Sequence, residues 1–204
     1  GAYAANSYDV AFDAGSGSSA TVGKKVTYDA AYGELPVPTP PVGYTFAGWY
    51  LGEGEITAQT IVKTAGNHTL TARYDIIMEN VVYFQSDGDY AAGKALHGTK
   101  AAYGSQLPTA DAPAPTREGY TFRFWSREGQ AGIDVAGQTV SGWTNLIADW
   151  GANSYTVTLD AGKGTCAASG KEVLYDAAYG ELPVPTPPRG YTFVGWYLGD
   201  TEVT

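Results

Sequence analysis

Basic charge is scarce in this sequence: 12 Lys and Arg stand against 21 Asp and Glu, a formal net charge of -9. A surface of that sign repels phosphate backbones and anionic headgroups, which argues against nucleic acid and membrane surfaces as partners. Cysteine is nearly absent. Cys166 stands alone, so no internal disulfide forms, and one cysteine with two histidines cannot assemble an ordinary structural zinc site. Long apolar runs are missing too: none approaches the roughly 18 residues of a membrane span, so no membrane insertion is expected of this segment. Packing must hold the 204 residues together, and 44% apolar and 13% aromatic residues are ample for it.

What the chain has in abundance is itself. Ala31-Tyr32-Gly33 recurs as Ala102-Tyr103-Gly104 and Ala178-Tyr179-Gly180, and Gly43-Tyr44-Thr45-Phe46 recurs at Gly119 to Phe122 and Gly190 to Phe193. Residues 28 to 52 match 175 to 199 at all but two positions, Val42/Arg189 and Ala47/Val194. Such spacing is the signature of a tandem array. The landmarks give a tail of a preceding copy with its linker at 1–7, a first copy at 8–75 and a linker with a divergent second copy at 76–150. A linker with a third copy follows at 151–204. Between its landmarks the second copy has five extra residues, assigned to 109–115, and the third stops before a counterpart of His68 to Tyr74. Both ends cut through copies, so the chain reads as an excerpt of a longer array.

Within one copy, Tyr8, Val10 and Phe12 alternate with polar or small residues, the period of a strand with one buried face. Gly15 to Ser18 make a turn, and Val22 to Tyr28 resume a strand pattern. Asp29 is placed to cap a short helix over 30–35, which Pro36 ends. The prolines of 36–41 force an extended crossover. Tyr44 to Leu51 and His68 to Tyr74 complete the unit, with Leu70, Ala72 and Tyr74 on one face. The expected fold class is therefore α+β: tandem small units, each a four- or five-stranded mixed sheet with one short helix, in an elongated array. Joints as short as 75–80 and 151–154 restrict swing between units.

The residues Tyr8 to Gly15 (YDVAFDAG), Ala31-Tyr32-Gly33 with Leu35-Pro36, Gly43 to Tyr50 (GYTFAGWY) and His68 to Tyr74 (HTLTARY) carry a resemblance. In order and spacing they resemble the Listeria-Bacteroides repeat family, whose best-known member is the B repeat of internalin. The likeness covers nearly the whole chain. The second copy departs most, with Arg123-Phe124-Trp125-Ser126 in place of Ala-Gly-Trp-Tyr. The resemblance implies a β-grasp-like fold on extracellular, secreted or cell-wall proteins of bacteria, used as non-catalytic spacers or weak adhesive modules. It supplies no catalytic residues and no cofactor. It also implies a last strand beside the first, which leaves the third copy with an open edge at 155–160. Strand exchange between chains would fill that edge, and the 2–5 end aligns with a last strand.

Strict alternation puts Tyr44, Phe46 and Tyr50 on one face of the aromatic strand and Trp49 on the other, so both sets cannot be buried in a one-sided sheet. Trp49, Tyr50, Trp125, Trp196 and Tyr197 are thus candidates for a stacking surface facing glycan or a host surface protein. The competing role for Trp49 is to cap a minor core under 52–66. Asp13-Ala14-Gly15 and Asp87-Gly88-Asp89 have too few spaced carboxylates for a calcium loop and fit ordinary turns better. His68 and His97 are isolated, and Cys166 takes the place of Ser19 in a turn. No unrepeated polar cluster has the makings of an acid–base pair or an activated nucleophile, so no enzyme is expected. The sequence fits a semi-rigid spacer or stalk of a bacterial surface protein, with an adhesive array as the rival.

Overall fold

A computed structural model describes residues 1–203. The alternating residues of the first copy form β1 (Ser7–Asp13), hairpinned to β2 (Gly23–Thr27), followed by β3 (Tyr44–Leu51), β4 (Gly54–Ile56) and β5 (His68–Ile76). The sheet order is β2-β1-β5-β3-β4. β1 and β5 run parallel, with Val10 opposite His68 and Phe12 opposite Leu70, while every other neighbouring pair is antiparallel. The inward residues Val10, Phe12, Val26, Leu70 and Ala72 join Tyr32, Trp49 and Val62 in one core. The proline crossover runs as a pinned strut: Ser18 N donates to Thr39 O (3.0 Å), Thr39 N donates to Ser18 O (2.7 Å), and Pro38 is fully buried.

The helix expected over 30–35 is not there. Asp29 takes a φ of 65°, outside helical space, and the backbone around it is laced to a later segment. Asp29 N donates to Val62 O (3.0 Å), Val62 N to Ala30 O (2.8 Å), Tyr32 N to Thr60 O (2.9 Å) and Gly33 N to Ala58 O (2.9 Å). Amides satisfied by that partner have no need of a helix. The fold class is therefore mostly β, with one helix among the described residues, α1 (Asp87–Ala91). Ser86 caps α1, its Oγ accepting from Asp89 N (3.1 Å) and donating to Asp89 Oδ2 (2.7 Å), so Asp87 and Asp89 serve a helix start.

The second copy holds β6 (Met78–Phe84), α1, β7 (His97–Ala102), β8 (Tyr120–Arg127) and β9 (Thr144–Ala152), ordered β7-β6-β9-β8. That order repeats β2-β1-β5-β3. Its hydrogen bonds correct the landmark alignment. Tyr103 N donates to Ile77 O (2.9 Å) as Tyr28 N does to Asn6 O (2.9 Å), and Leu107 N donates to Gln138 O (2.8 Å) as Tyr32 N does to Thr60 O. Tyr103 therefore stands where Tyr28 does, and Leu107 fills the core place of Tyr32. The five extra residues redistribute accordingly. Four of them lengthen the first hairpin, where α1 sits, and only one falls in the crossover.

Tyr83 takes the place of Phe12 and meets Trp125 at 5.1 Å, as Phe12 meets Trp49 at 4.9 Å. Burial lifts the Tyr83 hydroxyl from 10.0 to about 12, and the charge of Asp111 adds to the effect. Its folded pKa exceeds the unfolded one, so this stabilisation is whole below the unfolded value and is lost as pH rises toward about 12. Tyrosinate absorbance in an alkaline titration should show a late step that coincides with melting of the second copy. Tyr83→Phe should remove the step.

The third copy forms two hairpins, β10 (Ser154–Thr158) with β11 (Gly170–Leu174) and β12 (Trp196–Leu198) with β13 (Thr201–Val203). By backbone proximity the chain divides into two compact units. One is Gly1–Val81 with Thr99–Pro108 and Gly137–Thr144. The other is Val82–Gly98 with Thr109–Ala136 and Asn145 onward.

Candidate functional site: the seam between consecutive repeats

The five aromatic candidates do not share one environment. Trp49 is 2% exposed and Trp125 4%, so neither ring can stack on a sugar. The Trp49 Nε1–H donates to Pro36 O (2.7 Å), and the half-buried Trp196 repeats the bond to Pro183 O (2.8 Å). The reason is a β-bulge. β3 pairs Phe46 with Tyr74 and then Gly48 with Arg73, skipping Ala47, and β8 slips in the same way between Phe122 and Phe124. One extra residue reverses the facing of every later side chain in the strand. Phe46 and Trp49 therefore share a face, 5.7 Å apart, and Tyr50 turns outward under the Arg73 guanidinium at 4.2 Å. Tyr197 is 52% exposed. The remaining singled-out side chains have structural partners: His68 accepts from Tyr32 Oη (2.7 Å) and donates from Nδ1 to Gly66 O (2.9 Å), and Asp13 Oδ1 accepts from Gly15 N (2.9 Å).

A recurring arrangement lies elsewhere, at the start of the aromatic strand. In the first unit, Ile77 N donates to Gly43 O (2.8 Å) and Tyr103 N to Ile77 O. This ladder sets the Tyr103 ring directly on Gly43, where a Cβ would stand 2.1 Å from Tyr103 Cδ1. The second unit builds the same seam. Asn153 N donates to Gly119 O (2.9 Å), Tyr175 N donates to Asn153 O (2.9 Å), and a Cβ at Gly119 would stand 2.2 Å from Tyr175 Cδ1. Both glycines also hold positive φ, 84° and 74°, which L side chains rarely adopt. Here Tyr120 adds to the seam, its ring edge-on to Tyr175 at 5.6 Å and its hydroxyl donating to Asp176 Oδ2 (3.0 Å). That bond holds the Tyr120 hydroxyl above its ordinary pKa, and the Arg117 guanidinium lies 3.9 Å from the ring centroid.

A family model of the Listeria-Bacteroides repeat domain matches residues 8–73, 81–148 and 155–204. The chain belongs to the Listeria-Bacteroides repeat family. Ile77 and Asn153, the middle rungs of the two seams, fall between the matched repeats. The chain is 32% identical, over 94% of its length, to a putative Gly-rich membrane protein of Evansella cellulosilytica, of which it covers 21%. It is 33% identical over 94% of its length to a putative membrane protein of the same organism, covering 28% of it. To Internalin H of Listeria monocytogenes it is 36% identical over 52% of its length, covering 19% of that protein. The chain thus spans about a fifth to just over a quarter of the length of these relatives.

Sequence reading missed the seam because its hydrogen bonds join residues far apart in the chain, Gly43 with Ile77 and Ile77 with Tyr103. The usable signal was the glycine standing before the aromatic strand in all three repeats, combined with a tyrosine at 28, 103 and 175.

Proposed function

We propose that this chain is a non-catalytic, semi-rigid spacer in a bacterial cell-surface or secreted protein, built from β-grasp-like units whose first and last strands lie parallel. The seam carries the reading. A tyrosine seated on a bare glycine, flanked by two backbone hydrogen bonds, restrains each junction far more than a short linker alone would. Names of two relatives as membrane proteins and of a third as an internalin favour a surface location. Each repeat then adds a fixed increment of reach.

The test places a spin label on each side of the second seam and compares the parent with Tyr175→Ala. The parent should give a narrow distance distribution, and the variant a broad one with every repeat still folded. A parent distribution as broad as the variant's would overturn the spacer reading. Adhesion to glycan or a host surface protein is the second reading, and Trp143, 66% exposed, is the observation in its favour. Its counterpart in the first repeat is Asn67, so the surface is not repeated and avidity would not grow with copy number.

A further inference from the structure

In the first two repeats the chain leaves by a strand that lies beside the one through which it entered. β1 and β5 are neighbours and run parallel, with Val10 opposite His68 and Asp13 opposite Thr71. Both are interior strands, flanked by β2 on one side and β3 on the other. β5 passes to β6 through Ile77 alone, β6 lies beside β9, and β9 passes to β10 through Asn153 alone. Tension along the chain therefore runs from strand to strand with no loop between repeats to take it up. In the first repeat, β2, β3 and β4 lie off its line.

Within the first repeat such tension draws β1 backward along its axis and β5 forward. The evenly spaced bonds of a parallel pair then resist together, whereas strands pulled apart sideways give up their bonds one after another. The core side of this pair is sealed, because Val10, Phe12 and Leu70 are buried along the overlap and keep water from the rungs. One side chain lengthens the overlap. Asp9 N donates to Asn67 Oδ1 (2.9 Å), one residue ahead of β5 and at the end of the overlap where β1 takes up the load. We propose that β1 and β5 form a shear clamp that makes the repeat a load-bearing link, with the Asn67 side chain as its outermost rung. The clamp lies inside one repeat. It goes beyond the spacer reading, and it holds whether the seams are stiff or loose.

Single-molecule pulling on the full chain tests it, with Cys166→Ser removing the native thiol and cysteine handles introduced in pairs. Ser7→Cys with Ile76→Cys loads the clamp along its strands. Tyr44→Cys with Ile76→Cys grips two residues that face each other where β3 meets the end of β5, and peels that pair apart. All three positions are exposed, so both proteins keep one fold and a difference in force reports direction instead of stability. The first repeat should unfold at a force several-fold higher along the strands than in peeling. Asn67→Ala, at an exposed side chain, should lower the force along the strands and leave the peeling force unchanged. Equal forces in the two directions, or a lower one along the strands, would overturn the clamp. An Asn67→Ala protein with no loss along the strands, or with the same loss in both directions, would overturn the place of Asn67 as a rung.

Discussion

Trp49→Ala should unfold the first repeat. The ring is 2% exposed, packs on Phe12 at 4.9 Å and Phe46 at 5.7 Å, and donates its only N–H to Pro36 O. Truncations of this kind cost about 3–5 kcal/mol through lost burial and the cavity left behind. A core of this size rarely supplies more than about 3–5 kcal/mol of net stability, so the loss consumes all of it. Amide spectra should show residues 8–73 collapsing to unfolded shifts while signals of the third repeat persist. Trp49→Phe separates the ring from its hydrogen bond and should cost about 1–2 kcal/mol, since it keeps most apolar area but leaves the Pro36 carbonyl short of a donor. Tyr50→Ala, one residue on, removes an outward ring stacked under Arg73 and should cost only about 0.5–1 kcal/mol. A folded first repeat in Trp49→Ala would contradict the core placement and return the ring to the candidate stacking surface.

The contrast between Trp49 and Tyr50 shows what was legible in the sequence and what was not. Alternation in β1 and β5 is a local property of successive side chains, and Val10, Phe12, Leu70 and Ala72 are buried as the pattern implies. The bulge at Ala47 leaves no such trace, because a skipped residue is defined by the partner strand's register. The helix over 30–35 failed for a related reason. Its residues have acceptable helix propensity, yet Val62 and Thr60 offer the backbone a competing set of partners over 25 residues away. The misplaced insertion has a different origin. Ala102-Tyr103-Gly104 repeats the letters of Ala31-Tyr32-Gly33, but Gly104 occupies the positive-φ place of Asp29, with φ of 78° against 65°. Hydrogen bonding identifies Tyr103 with Tyr28, and only that identification brings the two seams into correspondence.

At the seam the second large effect is expected, and it runs opposite to the usual glycine substitution. Gly119→Ala adds a single methyl, which in an ordinary loop would stabilise by about 0.4–1 kcal/mol through the unfolded chain. Here the methyl would stand 2.2 Å from both Cδ1 and Cγ of Tyr175, at a φ of 74°. The near face of a ring cannot give way as a flexible chain end can, so the ring leaves its seat. With it go the edge-on contact to Tyr120 and the Tyr120–Asp176 hydrogen bond. The Tyr120 hydroxyl should then titrate lower, because the carboxylate bond is the largest cause that holds it up. Each repeat should keep its own core, since the Tyr175 ring is only half-buried and stands outside the buried hydrophobic set. The measurable outcome is a spin-label distance distribution across the second seam that broadens as it does for Tyr175→Ala. The double variant Gly119→Ala/Tyr175→Ala decides the cause. If the clash is what opens the seam, removing the ring as well should recover part of the stability lost in Gly119→Ala without narrowing the distribution. If backbone strain alone is responsible, the double variant should be less stable than either single one.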